Sequence, residues 1–95
     1  VFLENVKTGV THSFNDQLTI TLRADANTAK AVYQINNGQE TAFKDGDQLT
    51  IGKGDPFGTT YTITLTGTNS DGVTRTQKYS FVKRDPSAAK TIGYQ

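Results

Sequence analysis

Within the run Thr59–Thr68 six residues alternate without a break: Tyr61, Ile63 and Leu65 stand against Thr62, Thr64 and Thr66. A period of two places successive side chains on opposite faces of a strand, so this run predicts a strand with one buried and one wetted face. Asn69-Ser70-Asp71-Gly72 follows, and Val73–Lys83 returns. The whole stretch Gly58–Lys83 holds eight threonines in 26 residues. Threonine is β-branched and suits the solvated side of a half-buried sheet.

The rest of the chain repeats this grammar. Val1–Val6 reads as a first strand that ends near Lys7-Thr8-Gly9, and Gln17–Ala24 alternates Leu18, Ile20 and Leu22 against Thr19 and Thr21. Lys30–Asn36, the short Glu40–Lys44, and Gln48–Gly52 complete the set. Between them lie turn formers. Asn36-Asn37-Gly38 is read as a type I′ hairpin turn and Asp45-Gly46 as a second reversal. Lys53–Gly58 is an irregular crossover, since Pro56 has no amide to donate. Short strands at this spacing predict an all-β fold, an immunoglobulin/fibronectin III-like sandwich of about seven antiparallel strands. The sandwich is assigned to residues 1–85, and 86–95 to a linker or the start of a following module.

Alternation also names a core: Phe2, Leu18, Ile20, Leu22, Leu49, Ile51, Tyr61, Ile63, Leu65, Tyr79 and Phe81. In the third strand Tyr33 shares the side of Ile35, and Val32 faces solvent or a neighbour. Tyr61 stands where sandwiches of this kind place a tyrosine corner, its hydroxyl bonded to backbone at the preceding corner.

Composition bounds what such a domain can do. Apolar residues make up 34% of the 95, while sixteen threonines fill strand positions and the net charge is +1, which does not describe a disordered chain. A nucleic-acid footprint needs clustered cations; the longest basic run is Lys83-Arg84, read as a solvated strand end. No apolar run approaches membrane length, and no signal peptide is recognised. The chain begins Val-Phe-Leu rather than with Met, so it is expected to be an excised fragment. Without cysteine there are no disulfides and no thiolate metal sites.

Chemistry-bearing residues are few. His12 lies in Gly-Val-Thr-His-Ser-Phe between two predicted strands, with Thr11 and Ser13 pointing away from it, so no nucleophile–base–orienter set can be named. The nine acids sit mostly in turns, where Asp has a local backbone role. An EF-hand counted from Asp45 places Pro56 where the closing Glu belongs; an interstrand calcium site would rest on Asp71 or Asp55, residues that turn chemistry also explains. Gly52–Gly58 lacks the order of a phosphate loop. Catalytic residues, metal ligands and cofactors are accordingly expected to be absent. Carbohydrate binding has better candidates. Rings that stack on sugars must be exposed, and Tyr33, Phe43 and Phe57 are the candidate platforms, with the amides of "YQINNGQ" close in sequence.

Taken together, "AVYQINNG", "FKDGDQ", "IGKGDPFG" and "GTNSDGVTR" resemble a C-terminal region of secreted bacterial α-amylases of glycoside hydrolase family 13. The similarity covers essentially the whole chain, and these words are specific as a set. The resemblance implies a catalytic barrel upstream and a starch-binding module downstream, with "KTIGYQ" similar to the entry into that module. The family's catalytic carboxylates and calcium ligands lie in the barrel and map onto no residue here. Three readings follow: a non-catalytic accessory or spacer domain of a secreted, extracellular α-amylase, a starch- or maltooligosaccharide-binding module, and an independent hydrolase. The expected partners are the neighbouring domains of the parent amylase and starch, with no nucleic acid and no membrane, and a monomeric state.

Overall fold

The computed structural model describes residues 1–85, and the segment assigned to a linker or following module lies outside them. Among the described residues there is no helix. Eight strands form: β1 (Phe2–Leu3), β2 (Thr11–Phe14), β3 (Leu18–Arg23), β4 (Thr28–Ile35), β5 (Thr41–Ala42), β6 (Gln48–Ile51), β7 (Thr60–Asn69) and β8 (Thr74–Lys83). One sheet has the order β1-β3-β6 and the other β2-β8-β7-β4-β5. All neighbours are antiparallel except β2 and β8, which run parallel. This is an immunoglobulin-like sandwich whose first strand is divided between the two sheets.

The division explains the eighth strand. Thr11–Phe14 reads in sequence as the loop around His12, because only Phe14 among its four residues is buried. Its partner begins at Ser80, so no hairpin turn announces the pairing.

β7 lies between β4 and β8 and carries the central buried row. Tyr61 faces Phe81, Ile63 faces both Tyr79 and Ile35, and Leu65 faces Tyr33 across the ladders. Leu3, Ile20, Leu22 and Ile51 close the core from the other sheet, while Phe14, Ala31 and Phe43 complete it. A fully buried side chain of this size contributes about 1.5–3 kcal/mol. Leu18, Tyr33, Ile35 and Leu49 pack against this core half-buried. Val32 pairs with Thr66 and Ala42, which places it on the outer, threonine-bearing face.

The expected burial of Phe2 is corrected: Phe2 is 45% exposed and Leu3 only 1%. Leu3 pairs with Leu22, and its amide donates to the buried hydroxyl of Tyr79 at 3.1 Å. The register with β3 sets which of the two points inward: Leu3 shares the face of buried Leu22, and Phe2 that of Arg23. Phe43, expected to be an exposed ring, is also buried, at 6% exposure.

Side chains of turn residues tie the loops. The Asn69 side-chain oxygen accepts from the amides of Asp71 (3.0 Å) and Val73 (2.9 Å), while Gly72 closes the turn with its amide on Asn69 O (3.0 Å) and φ of 84°. This is the three-residue hairpin with a glycine bulge. At Asn36-Asn37-Gly38 the expected type I′ turn is not formed. Positive φ falls on Asn36 alone (56°), and Gly38 N donates to Ile35 O at 3.0 Å, the pattern of a type II′ turn. The reason lies in β7: Asn36 Oδ1 accepts from the Thr62 amide (2.9 Å) and its own amide donates to Thr62 O (2.7 Å), extending the ladder by a side chain.

Gly52 ends β6 with φ of 87°, and a Cβ there would stand 2.2 Å from Phe14 Cε2 and 3.1 Å from Asp16 O. Gly72→Ala carries the same backbone strain in open space. In urea unfolding, Gly52→Ala should cost about 3 kcal/mol or more, strain plus overpacking. Gly72→Ala should cost about 1–2 kcal/mol; equal losses would show that Phe14 yields without cost.

Candidate functional site

The crossover between β6 and β7 is built around an unexpected residue. Lys83 is 5% exposed, so the solvated strand end read from Lys83-Arg84 is corrected for this residue. Alternation in β8 places Lys83 in the inward row of Tyr79 and Phe81, a signal present in the sequence. Its Nζ donates to Gly52 O and Asp55 O, each at 2.7 Å, and lies 5.5 Å from the centre of the Phe57 ring. Its backbone holds the same loop, with Lys83 N donating to Thr59 O (2.9 Å) and Gly58 N donating to Lys83 O (2.6 Å). The two carbonyl oxygens satisfy donors that burial takes away from water. Lys83 thus acts as a staple, and the loop it holds presents Phe57.

Tyr61 completes this corner. The hydroxyl donates at 2.5 Å to the carboxylate of Asp55, Oδ2, rather than to backbone as expected for a tyrosine corner. Burial first, then the hydrogen bond to Asp55 and that residue's charge, push the Tyr61 phenol up to about 12, with a smaller opposing effect from Thr59.

The three ring candidates do not form one surface. Phe57 is 53% exposed, whereas Tyr33 is half-buried and Phe43 buried, with their ring centres 6.4 Å apart. Tyr33 pairs with Leu65, five residues along β7 from its first residue, a span of about 17 Å at strand rise. Phe57 precedes that first residue. The amides of "YQINNGQ" are likewise divided from Tyr33, which turns inward while Gln34 turns outward. Gln34, Asn36, Asn37, Thr62, Thr64 and Lys78 line an open polar depression of about 370 Å³ on the outer face, and none of the three rings lines it.

Several other titratable groups serve local structure. His12 donates from Nε2 to Lys7 O (3.0 Å), and its ring packs 5.6 Å from that of Phe81. Asp45 accepts from the Ala24 amide (3.0 Å) and pairs with Arg23 (3.4 Å), while Asp47 accepts from the Lys44 amide (2.9 Å). Asp71 sits at the β7–β8 tip, and Asp55 is engaged with Tyr61. Among the described residues no group of three or more His, Cys, Asp or Glu side chains could hold a metal ion.

No family model matches the chain, and no solved structure matches it.

Two measurements test this corner. Because the folded phenol is held above the ordinary value near 10, Tyr61 contributes stability that is present below pH 10 and lost as pH rises through about 12. Phenolate absorbance of the native protein should contain a late-titrating component that Tyr61→Phe lacks; a native titration identical in both would remove the argument. Lys83→Met leaves two carbonyls without their donor and should cost about 2–3 kcal/mol in thermal unfolding.

Proposed function

We propose that this chain is a non-catalytic accessory domain of a secreted α-amylase, spacing a catalytic part that cleaves α-1,4-glucan from a starch-binding module. The observation that carries this reading is the resemblance of "AVYQINNG", "FKDGDQ", "IGKGDPFG" and "GTNSDGVTR" to the family's C-terminal region. The places those words occupy support it. They contain Asn36, Asp45 and Asp47, Gly52 and Asp55, and Asn69 and Gly72, which hold the turns and the crossover. Residues that share such roles belong to a scaffold, and a spacer requires a scaffold more than a reactive site. Its neighbours would be the other domains of the parent enzyme, outside the cell.

A second reading, binding of starch or maltooligosaccharides, is favoured by one observation: Phe57 is an exposed ring on a stapled loop. Pockets that bind sugars present polar and aromatic groups in place, and Phe57 offers an exposed ring on a loop that Lys83 ties down.

The isolated chain should release no reducing ends from soluble starch, and millimolar maltoheptaose should leave its amide NMR spectrum unchanged. Reproducible turnover would sink the non-catalytic reading. Shifts centred on Phe57 that vanish in Phe57→Ala would replace the spacer with the binding module.

A further inference from the structure

β8 is paired with β7 along its entire length, Thr74 to Lys83, but β2 covers its other side only from Ser80 to Lys83. The chain before β2 belongs to the other sheet, through β1. Thr74–Tyr79 is therefore an open edge.

Three bonds identify which backbone groups face outward. Lys83 gives its amide to Thr59 O and accepts from Gly58 N, both towards β7. Arg84, one residue on, donates to Phe14 O on the β2 side at 2.8 Å. Thr62, opposite Ser80, exchanges its backbone bonds with Asn36 on the β4 side. By the alternation of an antiparallel ladder, Arg75, Gln77 and Tyr79 bond to β7, while the amides and carbonyls of Thr74, Thr76 and Lys78 point away from it.

Exposed edges are commonly blunted by proline, a bulge or extreme shortness. The β7–β8 register runs from Thr60–Val82 to Thr68–Thr74 without a shift, and β8 has no proline. Its first five residues are all exposed. Only charge guards the edge, from Arg75 and Lys78, neither of them in an ion pair among the described residues. The nearest acid along the strand is Asp71, in the hairpin tip beyond the first open rung, and Asp25 of the β3–β4 loop lines the same depression as Arg75 without an ion pair to it. Charge also selects the occupant. Two copies joined edge to edge would bring four cations together with no carboxylate from either strand. An acidic segment would place opposite charges across the new ladder.

We propose that the open edge Thr74–Tyr79 accepts an extended acidic peptide segment of a partner protein as an added strand. Backbone bonds to Thr74, Thr76 and Lys78 supply the attachment, and Arg75 and Lys78 supply the preference.

The test uses the full 95-residue chain and a short capped peptide of the pattern Glu-Glu-Val-Glu-Glu-Val, which carries carboxylates on both strand faces, beside its lysine counterpart. With the acidic peptide, the amides of Thr74, Thr76 and Lys78 should shift and exchange with solvent about tenfold more slowly. Thr76→Pro removes an amide that the β7 ladder does not use, so it should keep the native spectrum and lose the response. Arg75→Glu combined with Lys78→Glu should transfer the preference to the lysine peptide, and this holds as a test even if Thr76→Pro unfolds. An equal response of the native chain to both peptides, or no protection at millimolar peptide, overturns the proposal. So does concentration-dependent self-association that protects the same amides without peptide.

Discussion

Everything in this sandwich hangs on the alternation of β7. It is the one strand of the larger sheet paired through nearly its full length on both sides, by β4 and by β8. A slip of one residue would exchange Tyr61, Ile63 and Leu65 for threonines and empty the core. The threonines keep the outer face compatible with water while retaining the β-branched shape that a strand favours. Specificity of register and wetting of the surface therefore come from the same ten residues.

Polar atoms then determine how the remainder is fixed on that frame. Four devices recur: a side-chain amide standing in for a strand residue at Asn36, an Asx turn at Asn69, aspartates capping backbone amides at Asp45 and Asp47, and the Lys83 ammonium gathering two carbonyls. Each satisfies backbone groups that an irregular loop would otherwise leave without partners. The Tyr79 hydroxyl does the same between sheets by accepting from Leu3. Asp45 and Asp47 give their carboxylates to this use, and Asp55 binds the Tyr61 hydroxyl.

How much was legible follows from the range of each interaction. The inner rows of β3, β7 and β8 are local patterns, and alternation places Ile20, Leu22, Ile63, Leu65, Tyr79 and Phe81 correctly inside. Phe2 fails because a two-residue strand has no period to read; its facing is fixed by its pairing with Arg23 in β3. β2 fails for the same reason, being defined only by β8. Phe43 follows a strand of two residues, and its burial depends on β4, through its amide bond to Ala31 O. Lys83 is different. Its inward parity was present, but residue type suggested solvent, and the carbonyls that make burial tolerable lie in a loop without periodicity. At the candidate site, the exposure of Phe57 was readable from its irregular surroundings, whereas the separation of the three rings required the fold.

The parallel pairing of β2 with β8 has a mechanical meaning. If tension is applied through the two ends of the domain, it reaches β2 at its first residue once β1 has parted from β3, and leaves β8 at its last. Parallel neighbours pulled in those senses slide past one another lengthwise, so the rungs from Thr11–Ser80 to Phe14–Lys83 bear the load together. An antiparallel pair pulled from one end would open rung by rung. With this arrangement the load falls on several rungs at once rather than on one.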